Sequence, residues 1–531
     1  MEIVSKAALK DMLGELPLAA ELYWQLRQPG RPLSEGFNLE EMDKRIPIWR
    51  QDLEVFLKSN PQPRGKRVLL FATLRYWISH AAVIGLALRG LGHSITLAYL
   101  PYSDWTTPIS RFDLRRQNAY AKTILGKLEP YLHAASLINN RKAPELTPQL
   151  AQAVRENAWK DTQYTLQVEE VDPDSELYRL RLERNHAVAH SALGLMRSAR
   201  PQVVVIPNGS ILEYGAVHQA ARQLGLPVVT YEFGEQRQRI WIGQNREVMR
   251  QETDELWAAH KGQALTPEQL RQVQELFASR QRASLWENFS RRWQGSPNQG
   301  GEMVRKELGL DGRPVVLLAT NVIGDSLTLG RQVFSDSMTG WLERTVKFFE
   351  QQQDAQLVVR IHPGELITKG PSVADVVLKA LPVLPEHIHL VPADAQINTY
   401  DILEIAQLGL VYTTTVGMEM AMSGLPVIVV GNTHYRGKGF TLDPGSWEAY
   451  FEQLQHVLAS PEEYRLSGEQ VELAWNYAYR FFFEFPQPFP WHLLNMWEDL
   501  EEWPLRRVLS QEGQACFGDT FNYLVGEPVQ W

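Results

Sequence analysis

Leu408–Gly431 reads LGLVYTTTVGMEMAMSGLPVIVVG, and the fold class follows from it. Leu408–Tyr412 is a short apolar run, as a strand shows when both faces of its sheet are covered. Gly417–Ser423 has helical character, Gly424 stops it, and Pro426–Val430 is a second apolar run. Strand, helix, glycine and strand make the βαβ unit of a parallel sheet. Three hydroxyl residues, Thr413, Thr414 and Thr415, stand between the first strand and the helix. Open parallel sheets bind ligands beyond the carboxyl ends of their strands, so chemistry is expected in this loop.

The pattern continues upstream. Pro314–Ala319, Gln356–Ile361 and Ile388–Val391 read as strands, and Met338–Gln353, Ser372–Leu381 and Thr399–Ala406 as helices. Such alternation implies right-handed crossovers in a mostly parallel sheet. Trp447–Leu458 and Pro461–Tyr479 read as terminal helices. The Gly/Ser/Pro/Asn cluster Gln294–Gly301 reads as a domain boundary. An earlier α/β unit has strands at Val68–Ala72, Ser94–Ala98, Pro201–Ile206 and Pro227–Tyr231, with helices at Ser79–Arg89 and Glu213–Leu224. Residues 111–200 between them read as polar and mostly helical. The Gly-x-Gly-x-x-Gly pattern is absent, so no dehydrogenase-type dinucleotide site is expected.

Ala7–Leu26 and Leu39–Leu57 carry helical spacing, and Pro61–Gly65 punctuates their end. The expected organisation is a helical appendage (1–62), a Rossmann-like acceptor domain (63–257) and a helical linker (258–301). A Rossmann-like nucleotide-sugar donor domain (302–480) and an aromatic, proline-rich tail packing back on the body (481–531) complete it. The fold class is α/β, with two Rossmann-like domains facing each other across a cleft.

Composition agrees. At 531 residues the chain exceeds what one hydrophobic core normally serves. Hydrophobic residues at 44% and charged residues at 22% are ordinary for a globular protein. A net charge of −9 argues against nucleic acid as a partner. The single cysteine, Cys516, excludes an intramolecular disulfide and a cysteine zinc site. No stretch approaches the roughly 18 apolar residues of a membrane span. The N-terminus lacks an apolar signal core, so a cytoplasmic location is expected. Peripheral contact with the inner face of a membrane would fall to Phe481–Phe485 and Trp491, for which core packing is the competing reading.

Four strand-end loops of the second unit carry the candidate site. They hold Asn321 after Ala319, His362 and Pro363 after Ile361, Thr413–Glu419 after Tyr412, and Arg436 and Lys438 after Val430. Thr413, Thr414 and Thr415 precede a helix and would either meet a phosphate or simply cap it. The His362 imidazole can donate to a phosphate and assist its departure, or be a structural surface histidine. Glu419 can accept from two ribose hydroxyls, or serve as a helix N-terminal charge. Asn321 and Gly417 are placed with Glu419 on the nucleotide side. Arg436 and Lys438 would neutralise phosphate or line a solvated turn. In the first unit, Glu232 or Glu235 could orient or deprotonate an acceptor hydroxyl. Asn208–Ser210 and Tyr76–His80 also follow strands and are weaker candidates.

These residues resemble a known family. Two successive Rossmann-like units look like a GT-B glycosyltransferase. RIHPGE together with TTTVGMEMAMSGLPVIVVGNTHYRGKGFT resembles the bacterial capsule polysaccharide biosynthesis proteins, which include Kdo transferases using a CMP-activated sugar. The His-Pro motif and later Ser/Thr cluster are also similar to GT-B sialyltransferases and to glycerophosphotransferases of teichoic acid synthesis. The resemblance is specific over about 310–445 and general over 65–257. It implies donor phosphate at His362 and Thr413–Thr415 and ribose at Glu419. The acidic pair that acts as base in the sialyltransferases has no clear counterpart, so Glu232 and Glu235 are positional choices. The implied activity is metal-independent sugar transfer for surface or capsular polysaccharide, with no cofactor. The nucleotide sugar is a substrate, and the acceptor a glycan or lipid-linked glycan. A nucleotide-sugar epimerase of the same fold and a non-catalytic nucleotide- or carbohydrate-binding scaffold are the alternatives.

Overall fold

The computed structural model describes residues 6–58, 64–102, 104–139, 145–286 and 295–531. Pro61–Pro63 and Gln294, which were expected to punctuate the chain, lie outside them. The chain divides into two compact units. The first comprises 1–162, 172–249 and 487–530, and the second 163–171, 250–486 and Trp531.

The first unit is built on a seven-stranded sheet. Its strands are β1 (Arg67–Thr73), β2 (Ser94–Leu100), β3 (His133–Ser136), β4 (Val203–Pro207), β5 (Val228–Glu232), β6 (Arg239–Gln244) and β12 (Gln487–Pro488). The order is β12-β6-β5-β4-β1-β2-β3. Strands β1 to β5 run parallel, whereas β6 and β12 pair antiparallel at one edge. The 3-2-1-4-5 order of the parallel part is Rossmann-like, with its switch point between β1 and β4. Strands β1 and β4 are buried along almost their whole length, as their apolar runs require.

The second unit carries an all-parallel five-stranded sheet. Its strands are β7 (Val315–Ala319), β8 (Gln356–Arg360), β9 (Ile388–Val391), β10 (Leu408–Val411) and β11 (Val427–Val429). The order β11-β10-β7-β8-β9 repeats the first topology, and its switch point lies between β7 and β10. Trp341, Leu342, Val346 and Phe349 from one covering helix pack on Leu357, Val359, Leu408 and Leu410 of the sheet. The two Rossmann-like sheets agree with the architecture read from the sequence.

Three strands escaped the sequence reading. Strand β3 is four half-exposed residues inside a polar helical stretch, so no apolar run announces it. Strand β6 sits among charged residues, and β12 is two residues long and pairs with it from the far end of the chain. The predicted N-terminal helix is two, Lys6–Glu15 and Ala19–Arg27, parted by Pro17 and by Leu18 at φ 61°. The aromatic segment is core: Phe481, Phe482, Phe485 and Trp491 are all buried, which removes them as a lipid-facing patch. Among the described residues no helix is long and apolar enough to cross a membrane.

Residues 163–171 belong to the second unit for a local reason. Glu169 accepts from the N–H groups of Met338 (2.7 Å) and Thr339 (2.8 Å), capping the helix Met338–Gln351. Gly324, at φ 69°, lies where a Cβ would come within 2.7 Å of Gln167 and Val168 backbone atoms. A side chain there would push this segment away.

Candidate functional site

At the carboxyl edge of the second sheet, hydrogen bonds join neighbouring strand ends. The His362 N–H after β8 donates to Thr320 Oγ1 after β7 (3.1 Å). Asn321 Oδ1, one residue on, accepts from the Thr413 N–H after β10 (3.2 Å). Thr413 Oγ1 lies 3.2 Å from the same oxygen and 3.0 Å from Leu327 O, so its one proton serves one of the two. Thr433, after β11, donates its hydroxyl to Thr413 O (3.2 Å). The four loops expected to converge are therefore connected across β8, β7, β10 and β11.

The polar groups left over are mostly donors. Neither the hydroxyls of Thr414 and Thr415 nor the N–H groups of residues 414–416 bond to the protein among the described residues. Asn321 orients its amide by accepting with Oδ1, which leaves Nδ2 without a protein acceptor among them. Gly364 N–H donates to His362 Nδ1 (2.9 Å), so a neutral His362 carries its proton on Nε2. That ring is exposed and begins the short helical turn Pro363–Ile367. Arg360, nearly buried at the end of β8, donates to Pro392 O (2.5 Å), and burial pushes its guanidinium down to about 10.

Four predicted residues stand elsewhere. Glu419 is buried, with one carboxylate oxygen paired to Arg280 and the other accepting from Tyr400 OH. Gly417 is where a Cβ would meet Tyr435 Oη at 2.4 Å, so its bareness serves packing. Arg436 donates to the carbonyls of Val429 and Pro444. Lys438 pairs with Asp254. The three charged residues have one thing in common. Each charged group finds a protein partner whose position only the tertiary structure reveals, Arg280 lying 139 residues from Glu419. The helix opening at Thr415 is also short, Val416–Met422.

A cavity of about 440 Å³ in this unit is lined by Gln281, Tyr400, Asp401, Ser423, Leu425 and Arg465, among others. Leu425 precedes β11, so this cavity sits at the amino edge of the sheet, away from the connected strand ends.

At the carboxyl edge of the first sheet the groups are acidic. Glu232 ends β5, Asn208 follows β4, and Asn208 Nδ2 donates to Glu232 Oε2 (3.1 Å). Phe233 N–H donates to the other carboxylate oxygen (3.1 Å). No cation pairs with Glu232 among the described residues. Burial raises its carboxyl to about 7 against these two bonds, which favour the charged form. A carboxyl titrating there suits proton transfer near neutral pH. The backbone around it is unusual: Leu74 after β1, and Asn208 and Leu212 after β4, have φ of 62°, 54° and 51°. Three such residues flank one switch point. The nearby His80 is core: it is fully buried, held by Trp491 O (3.1 Å), and burial pushes it down to about 3.

Comparison with known proteins was made against this geometry. No family model and no curated protein matches the chain. Solved structures share the fold. One is the beta Kdo 2,4 transferase KpsC of Thermosulfurimonas dismutans, 16% identical, with 61% of this chain and 88% of that one covered at a TM-score of 0.34. Another is the glycosyltransferase SnogD from Streptomyces nogalater, 16% identical, with 80% and 97% covered at 0.22. UDP-GlcNAc 2-epimerase from Neisseria meningitidis, bound to UDP-GlcNAc, is 12% identical, with 79% and 100% covered at 0.25. The chain itself carries two Rossmann-like sheets, one in each unit.

Sequence reading missed the buried polar cluster behind the first sheet's edge. Asp161 and Arg181 are fully buried and paired at 2.5 Å, and Glu213 lies 3.1 Å from the same guanidinium. All three sit on helices inside ordinary polar stretches, so no spacing distinguishes them from solvated residues.

Proposed function

We propose that the protein is a glycosyltransferase that moves a sugar from a nucleotide-activated donor to an acceptor hydroxyl. The observation that carries this reading is the connected carboxyl edge of the second sheet. Its backbone N–H groups, hydroxyls and Asn321 amide are donors in excess, and such a set suits the oxygens of a departing phosphate. The donor phosphate lies against Thr414, Thr415 and Asn321, with His362 Nε2–H on a leaving oxygen. The acceptor oxygen forms the new bond to the anomeric carbon as the old carbon–oxygen bond breaks. That electron pair leaves on phosphate, and the acceptor proton passes to a general base; on the first unit, taken by itself, the candidate is Glu232. Glu232 is preferred to Glu235 because its carboxyl titrates near neutrality and Asn208 holds it.

The resemblance to capsule biosynthesis proteins supports a CMP-linked donor and a surface-glycan acceptor. The test is a thermal-shift panel of CMP, CDP, UDP, GDP and their sugars on the native protein and His362→Ala. The cognate nucleotide should raise the native Tm by several degrees, and His362→Ala should respond less. If no nucleotide shifts the native protein, or both respond alike, the donor site is misplaced. Nucleotide release that depends on an acceptor separates transfer from epimerisation.

A further inference from the structure

Behind the first sheet's carboxyl edge lies a buried polar network. Arg181 Nε donates to Asp161 Oδ2 (2.5 Å), and Asn185 Nδ2 donates to the same oxygen (3.3 Å). Asn157 Nδ2 reaches both Asn185 Oδ1 (2.9 Å) and Leu212 O (3.3 Å). Asp161 Oδ1 accepts from the Leu212 N–H (2.8 Å). Leu212 is thereby gripped at both its N–H and its carbonyl, and it is one of the residues at positive φ, 51°. Gly215, a turn further on, lies where any Cβ would collide with Asn157 Oδ1.

The other end of the same turn is tied to Asn208. Its Oδ1 accepts from Ser210 N–H (3.2 Å), Ser210 Oγ (2.7 Å) and Ile211 N–H (3.3 Å). These donors settle the amide orientation, so the Nδ2 group must face Glu232. Asn208 is itself at φ 54°. The network holds one end of residues 208–212, and Asn208 passes the result to the carboxylate.

Buried charges are expensive, and a hydrophobic cluster of equal volume would often stabilise a helix pair better. Their presence here calls for a role in geometry. We propose that Asn157, Asp161, Arg181 and Asn185 form a positioning network that sets where the Glu232 carboxylate stands, acting through the 208–212 turn. This deepens the proposed function and rests on it for its purpose, although its physical content does not. None of these residues touches substrate.

The titratable groups that feel Glu232 are Tyr76, Tyr214 and Tyr231, all held by burial above their usual range. They stay neutral through the range in which Glu232 titrates. Its titration midpoint, read by carboxyl infrared difference between native protein and Glu232→Gln, therefore reports on its own hydrogen bonds. Asn208→Ala should move that midpoint upward by roughly one unit, because a bond to the charged form is lost. Asn157→Ala changes no charge and should move it in the same direction by less. In the Asn208→Ala background, Asn157→Ala should add nothing. Asp161→Asn should behave as Asn157→Ala does, and if it fails to fold, Asn157→Ala decides alone.

If Asn157→Ala lowers Tm but leaves the midpoint at the native value, the network merely supports the fold and the proposal fails. The same holds if its effect persists undiminished without Asn208. A shifted midpoint in a protein whose Glu232→Gln form still transfers sugar would sink the base assignment and leave the positioning network standing.

Discussion

The carboxyl edges of the two sheets share a strand order and differ in chemistry. The second edge offers donors, the hydroxyls of Thr414 and Thr415 and the Asn321 amide, beside strand ends joined by hydrogen bonds. The first edge offers an acceptor, the Glu232 carboxylate, in a setting where burial outweighs its hydrogen bonds. One edge is rich in hydrogen-bond donors and the other carries a buried carboxylate. The same Rossmann-like topology thus carries different chemistry, because the scaffold sets positions while loop residues set polarity.

The largest effect should come from the acidic edge. Glu232→Gln is expected to lower transfer by about 10²–10⁴-fold, with nucleotide-induced thermal shifts unchanged. Activity should rise with pH through about 7, where the carboxyl releases its proton. Stability should run the other way. The folded pKa is above the unfolded one, so the unfolded chain loses this proton first and the fold is penalised as pH rises from 4.5 to about 7. Glu232→Gln should therefore be more stable than the native protein at about pH 8, by up to about 3 kcal/mol, and equal to it at about pH 4. A variant no more stable at high pH would break the contrast between the edges.

A stability loss of about 3–5 kcal/mol is expected for Glu419→Ala, which removes the carboxylate paired with the buried Arg280. The ligand-free Tm checks it. Were the loss confined to nucleotide binding, Glu419 would return to the donor edge as a ribose ligand. His362→Asn should keep the turn capped while lowering transfer by about 10²–10³-fold, read as kcat/KM beside an unchanged Tm. The smallest contrast lies within the threonines. Thr413→Val should lower stability by about 1–2 kcal/mol, since it leaves buried acceptors unmade. Thr414→Val and Thr415→Val should leave unfolding free energy within about 0.5 kcal/mol of native and weaken only the nucleotide response.

The alternation of strands and helices was legible because apolar runs and glycine stops are local signals, and the strand-end rule then located both edges. Thr413–Thr415, His362, Glu232 and Glu235 were singled out as candidates this way. Residue type and spacing could not say which polar groups have protein partners. Glu419, Arg436 and Lys438 looked alike as ligand-binding charges, and each is held by protein groups instead. Asp161 and Arg181 looked like solvated helix residues and are fully buried.

Local pattern therefore sufficed for the two sheets and for where ligand chemistry belongs, because periodicity and turn residues act over a few positions. Packing alone assigned residues 163–171 to the second unit and 487–530 to the first. It also raised the Glu232 carboxyl to about 7, since a carboxyl's proton affinity depends on burial and on groups distant in sequence, here Asn208.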